Sequence, residues 1–228
     1  MGPTANLKQR AITGGAALLG ALALLLFFSS SSLSYWQAWL YLLVFALATT
    51  AISFYLIDRD PALMERRLRA GPAAETERSQ QIIQGIASIS FLFIYIVAGL
   101  DHRFDWSSVP AAVVGVGDVL VAIGFWIVFL TFRENSHASA TIEVGEDQPV
   151  ISSGPYAIVR HPMYAGAGIL VLASALALGS LWALLPAIAL MGCVVWRLIE
   201  EERFLAKNLP GYIEYREKTR YRLIPLIW

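Results

Sequence analysis

Six apolar runs, at about 11–30, 35–57, 82–100, 109–132, 163–178 and 181–199, constrain this chain more than any other feature. They are continuous rather than alternating, so they read as helices and not as the strands of a barrel. A spanning helix needs roughly 17–25 apolar residues. Lipid leaves only helices and closed barrels able to satisfy the backbone. The first four runs meet that length; the last two are shorter, are separated only by Gly179-Ser180, and read as a tight helical hairpin. Composition agrees, since 57% of the 228 residues are hydrophobic and 15% charged, against about 45–50% and about 25% in an ordinary soluble domain. The expected fold class is all-α, a multi-pass membrane helical bundle of about six segments. The run after Lys8 and Arg10 is not followed by a small-residue cleavage pattern, so it reads as a retained helix and not a signal peptide. A single cysteine, Cys193, excludes a disulfide within the chain, and no Cys/His spacing suits a metal.

The distribution of Lys and Arg sets the orientation. Lys8 and Arg10 precede the first run, and Arg59, Arg66, Arg67, Arg69 and Arg78 follow the second. Arg133 and Arg160 lie between the fourth and fifth runs, and Arg203, Lys207, Arg216, Lys218, Arg220 and Arg222 follow the sixth. With six spans all of these fall on one side, expected to be cytoplasmic, and Arg103 alone lies opposite. The stretch "PALMERRLRAGP" has an apolar side (Leu63, Met64, Leu68) and a basic one, which predicts an interfacial helix near 61–71 on anionic headgroups.

Polar residues collect in two blocks, 132–164 and 196–225, both on the side expected to be cytoplasmic and each adjoining one end of the hairpin. In the first, Pro162 suits the opening position of a helix and makes His161 its cap residue or the neighbour of the cap. Free N–H groups of that first turn would then suit a carboxylate. His161 and Tyr164, three apart, share a face, and Gly166 and Gly168 permit close approach of a ligand or helix. Arg160-His161 with Tyr164 reads equally as an interfacial anchor. In the second block Arg197 and Glu201 are four apart at the membrane boundary, as an internal salt bridge or as groups facing a cavity. Asp118, alone within the fourth run, reads as a buried hydrogen-bonding partner between helices. "GVGD" at 115–118 has no strand before it and is not a dinucleotide loop, and hydrolase and ATPase motifs are absent.

These blocks resemble the isoprenylcysteine carboxyl methyltransferase family and its phospholipid-methyltransferase relatives. "ISSGPYAIVRHPMYAG" (151–166) carries Gly-x-Tyr-x-x-x-Arg-His-Pro-x-Tyr-x-Gly; "WRLIEEERFL" (196–205), "PGYIEYREKTRYRLIP" (210–225) and "EN" at 134–135 complete the pattern over roughly 130–228. The resemblance implies a membrane methyltransferase using S-adenosylmethionine, bound in a cytoplasmic pocket between the hairpin and the polar segments. It implies that His161 and Tyr164 meet the cofactor's methionine part, that Arg160 is among the cofactor-binding residues and that Tyr156 lines the same pocket. Gln148, Pro149, Val150 and Ile151 would run past the adenosine, and Glu201 would pair with the amino group. Arg197 would hold the acceptor's carboxylate, the catalytic assignment. The chain has Gln148 where eukaryotic members start this segment with His, and Thr141 near where they use Gln.

The expected division is 1–130, membrane helices with the interfacial helix, and 131–228, the methyltransferase core. The implied partners are membrane lipids and a lipophilic or lipidated acceptor, with no nucleic acid. A prenylcysteine-like carboxylate leads, and a phospholipid amine is the alternative. Rival readings are an NADPH-dependent sterol-type reductase, for which no cluster for the extra phosphate stands out, and a transporter, for which only Asp118 lies at mid-membrane.

Overall fold

A computed structural model describes residues 3–75, 77–145 and 148–228, with side chains from Asn6 onward. The described residues form eight α-helices and no strand: α1 (Pro3–Ser30), α2 (Trp36–Arg59), α3 (Pro61–Leu68), α4 (Arg78–Phe104), α5 (Ala111–Glu134), α6 (Pro162–Ala177), α7 (Leu184–Asn208) and α8 (Tyr212–Lys218). Four of them, α1, α2, α4 and α5, are long and apolar enough to cross a membrane. Large apolar side chains such as Leu24, Leu47, Ile89, Val119, Trp126 and Ile188 are exposed along the shaft. Such a run of exposed apolar side chains is what a lipid-facing surface requires.

The long helices pack in the ring order α1–α2–α5–α6–α7–α4, and α6 also touches α2 and α4 across the middle. The core is mostly aliphatic, from Leu22 and Leu26 to Ala187 and Leu190. Near its centre the Tyr41 hydroxyl lies 2.9 Å from that of Tyr95 and 3.0 Å from Ser174 Oγ, so each buried hydroxyl has a partner. Asp118 differs from the sequence expectation. It is buried, but neither carboxylate oxygen has a hydrogen-bond partner among the described residues.

The last two apolar segments are joined by a short turn, with Gly179 at φ +68°, but they are not each other's main neighbours. α6 packs chiefly along α5, and α7 along α4. Glycines cause this. A Cβ at Gly124 would stand 2.7 Å from the Gly166 carbonyl oxygen, and one at Gly166 would stand 2.8 Å from that of Gly124. A Cβ at Gly117 would meet the backbone of Ala177. Backbone therefore lies directly on backbone along the α5–α6 seam.

Helix α3 also departs from expectation. Asp60 caps it, accepting from Leu63 N–H at 2.9 Å, and Pro61 opens it. Leu63 and Met64 are buried against Leu7, Ala11, Leu56, Phe132 and Ala138, so its apolar side is turned into protein. Arg66 and Arg67 donate to the carbonyls of Ser136 and Ser139. The helix thus clasps the loop that follows α5.

Candidate active site

One end of the bundle carries a pocket of about 840 Å³ of empty space, including its mouth, within the size range of small-molecule sites. The ten residues that the resemblance assigns to cofactor or acceptor line it: Gln148, Pro149, Val150, Ile151, Tyr156, Arg160, His161, Tyr164, Arg197 and Glu201. Thr141 joins them, as do Tyr212 and Tyr215 from α8. The walls are the loop after α5, the start of α6, the polar half of α7, and α8.

The start of α6 forms as the sequence suggests. Pro162 is its first residue and His161 its cap position. The His161 ring stacks on Tyr164 with centroids 5.7 Å apart. His161 N–H, however, is not free. It donates to Arg222 O at 3.0 Å, and Arg160 N–H donates to Tyr221 O at 2.8 Å, so the C-terminal segment is laced onto this loop. The first-turn N–H groups of Met163 and Tyr164 have no backbone acceptor outside the helix, and both residues line the pocket.

Two ion-pair networks hold the walls. In the first, Glu202 is buried and accepts from Arg160 Nε at 2.6 Å and Arg222 Nε at 2.8 Å, with His161 Nε2 at 3.4 Å. Arg160 also donates to the carbonyls of Thr219 and Arg220. Burial by itself would raise the Glu202 pKa. The hydrogen bonds from His161 and Arg222 and the charge of Arg160 outweigh it, and the pKa is pushed down to about 2. In the second, Arg197 reaches Glu75 at 2.7 Å and donates to Gln80 Oε1 at 2.9 Å, Ala140 O at 2.8 Å and Tyr164 Oη at 3.1 Å. Tyr164 Oη in turn donates to Glu201 Oε2 at 2.5 Å. The internal Arg197–Glu201 bridge is therefore absent, and Glu75, from the loop before α4, takes that place. Glu201 Oε1 accepts nothing from the described residues.

Glu75, Gln80 and Glu202 were not among the sequence candidates. Glu75 and Gln80 lie in a segment with no motif, more than a hundred residues from Arg197, and only the packing of α4 on α7 brings them to it. Glu202 had a local signal. It lies four residues after the fully buried Leu198, on the inward face of α7, whereas Glu200 turns outward to Arg203 at 2.7 Å.

The remaining wall is aromatic. Tyr156 Oη accepts from Asn135 Nδ2 at 2.8 Å, and its carbonyl accepts from Tyr215 Oη at 2.8 Å. Burial raises the pKa of Tyr215 to about 12, so it stays a neutral donor. Gln148 Oε1 is engaged within its own loop, accepting from Gly145 N–H at 3.0 Å. Tyr212 Oη is buried and has no partner among the described residues. An orphaned hydroxyl in a pocket wall marks a position where a ligand's polar atom is expected.

The arrangement can bind an amino acid-like group at the free Glu201 oxygen and the α6 first turn, beside an apolar bundle. Among the described residues no group of His, Cys, Asp or Glu is placed to hold a metal. A comparison with curated proteins gives no match. Residues 112–210, from the start of α5 to just past the end of α7, match the model of the phospholipid methyltransferase family, which belongs to the same superfamily of integral-membrane methyltransferases as the isoprenylcysteine carboxyl methyltransferases.

Proposed function

We propose that this protein is an integral-membrane methyltransferase that moves the methyl group of S-adenosylmethionine onto a lipophilic acceptor, with a prenylcysteine-like carboxylate as the leading class. The observation that carries the proposal is the convergence of His161, Tyr164, Arg197 and Glu201 on one pocket at the polar end of an apolar bundle. The pocket fits the cofactor on three counts. Glu201 has an unfilled oxygen for an ammonium, the first turn of α6 has free N–H groups for a carboxylate, and Tyr212 has an unpaired hydroxyl. When bound, S-adenosylmethionine supplies an electrophilic methyl group on a sulfonium.

The residues orient and enclose. Tyr164 donates to Glu201 while accepting from Arg197, which fixes both carboxylate and hydroxyl. Arg197 has its nitrogens engaged by Glu75, Gln80, Ala140 and Tyr164, so its share is to hold Tyr164, and through it Glu201, in position beside the acceptor. The C-terminal segment, held by Glu202, closes the pocket from water. A carboxylate acceptor needs no general base, so alignment is the main catalytic demand.

The matched family favours a second acceptor, a phospholipid amine. An ammonium must lose a proton before it attacks, a demand that a carboxylate acceptor does not make. The same match counts against the reductase and transporter readings. In this proposal α6 and α7 also cross the membrane, and the pocket is cytoplasmic.

The test uses radiolabelled S-adenosylmethionine and the purified protein in lipid nanodiscs. Binding is expected in the wild type and in Glu217→Ala, on the exposed side of α8, and is expected to be lost in His161→Ala and Glu201→Ala. Label transfer to farnesylcysteine or to phosphatidylethanolamine then identifies the acceptor. A wild type that binds no S-adenosylmethionine sinks the proposal.

A further inference from the structure

Four arginines stand around the pocket and its approach, and three of them are neutralised. Arg160 and Arg222 share Glu202, and Arg197 has Glu75. Arg67, on α3, joins no ion pair among the described residues. Its Nη1 donates to Ser139 O at 3.0 Å and lies 3.7 Å from Met163 Sδ, and its guanidinium lies 4.9 Å from the centre of the Phe132 ring. Its Nε and Nη2 donate to no described residue. Burial pushes its pKa below the ordinary arginine value. The side chain is partly buried, and a guanidinium with open donors at such a place is a binding point for an anion.

Its position says which anion. Ser139 and Met163, its two contacts, line the pocket. Phe132 and Met163 also belong to an apolar cluster with Ile52 and Tyr55. Ile52 and Tyr55 in turn line an apolar groove of about 1020 Å³ between α2 and α5, with Val44, Leu47, Phe125 and Trp126 further along. From Val44 to Tyr55 the helix rises about 16 Å, the reach of a long hydrocarbon chain. Arg67 thus lies against residues that stand between the groove and the pocket.

Resting on the methyltransferase reading, we propose that Arg67 anchors an oxyanion, carboxylate or phosphate, of the lipophilic acceptor, whose hydrocarbon chain lies in the α2–α5 groove. The flat guanidinium suits either oxyanion through two parallel bonds from Nε and Nη2. This gives the acceptor's charge a partner that Arg197, neutralised by Glu75 and with four of its five N–H donors engaged, does not offer.

The test is equilibrium quenching of tryptophan fluorescence in neutral detergent, with Trp126 as the reporter in the groove and Trp126→Phe as its control. The probes come in pairs. For the carboxylate they are 9,10-dibromostearate and its methyl ester; for the phosphate they are dibrominated phosphatidate and the matching diacylglycerol. At least one anionic probe is expected to bind about tenfold or more tighter than its uncharged partner, and the pair that discriminates identifies the oxyanion. Arg67→Gln is expected to abolish the preference with S-adenosylmethionine binding retained, and Arg67→Lys to keep part of it. Equal binding of both pairs in the wild type, or a preference that survives Arg67→Gln, overturns the proposal. So does a quench that persists in Trp126→Phe. Loss of S-adenosylmethionine binding in the wild type with the anion preference intact would instead remove the methyltransferase reading and leave the anion site.

Discussion

Glu202 and Glu75 tie the polar end of the molecule together, each only about one-twentieth exposed. Glu202 has its pKa lowered from 4.5 to about 2, so its contribution to stability is complete above pH 4.5 and is lost as pH falls from there toward 2. Thermal unfolding in detergent should therefore show a marked loss of stability between pH 5 and pH 3, and Glu202→Gln should start lower and respond less to that change. An equal acid response in both proteins would show that the Glu202 network does not carry it. Arg197→Met makes a second case. It strands Glu75 as a buried unpaired carboxylate, which costs about 3–5 kcal/mol. Adding Glu75→Gln should recover part of the loss, whereas simple additivity would refute the coupling. At this scale the sequence was informative on one side of each pair only. Arg160, His161 and Arg197 were visible because charge beside an apolar run is expensive. Glu75 was not, because nothing near it in sequence announces what it meets in space.

Among the elements, α6 is the one the site depends on, and at 16 residues it is short beside the four long apolar helices. Its packing is decided by α5, not by the chain neighbour α7, because Gly124 and Gly166 let the two backbones touch. That register sets the direction in which Tyr164, two residues before Gly166, points toward the pocket. Gly124→Ala and Gly166→Ala each place a methyl group under 3 Å from a carbonyl oxygen of the facing helix. Overpacking of this kind costs roughly 1–3 kcal/mol, read as a lowered unfolding temperature. Gly192→Ala, where nothing lies within 4 Å, should be neutral. If all three variants melted alike, the seam would not be close-packed. The apolar runs announce the long helices and their order, because hydrophobic length is a direct requirement of lipid. They did not give the partners, because close approach depends on which glycines face each other across two helices. The same limit applied to α3, whose amphipathic pattern reads as a surface helix until Leu63 and Met64 find a protein partner for the apolar side.

For the molecule as a whole, the question is whether α6 and α7 cross the membrane or dip in and return. At about 1.5 Å per residue α6 spans about 24 Å, short of a hydrocarbon core of about 30 Å, and α7 is polar over its last third. The contacts at its two ends argue for a crossing. At the pocket end the residues before α6 bond to the C-terminal segment. At the far end Leu178 O accepts from Tyr35, in the α1–α2 connection, and Ser180 Oγ donates to Asp101 near the end of α4. The α6–α7 turn therefore sits with the turns that the long helices make on the side away from the pocket. Cys193, buried in α7, can be replaced by alanine to give a cysteine-free background. Single cysteines at the exposed positions Lys8, Arg103, Leu181 and Lys207 can then be challenged with a membrane-impermeant maleimide in right-side-out and inverted vesicles. Lys8→Cys and Lys207→Cys should react from one side, and Arg103→Cys and Leu181→Cys from the other. Leu181 is the informative position. Parity alone gives the same answer for the other three whether or not the last two helices cross. If Leu181→Cys reacts from neither side, α6 and α7 form a re-entrant pair, and the pocket's lipid opening lies deeper in the membrane than six crossings allow.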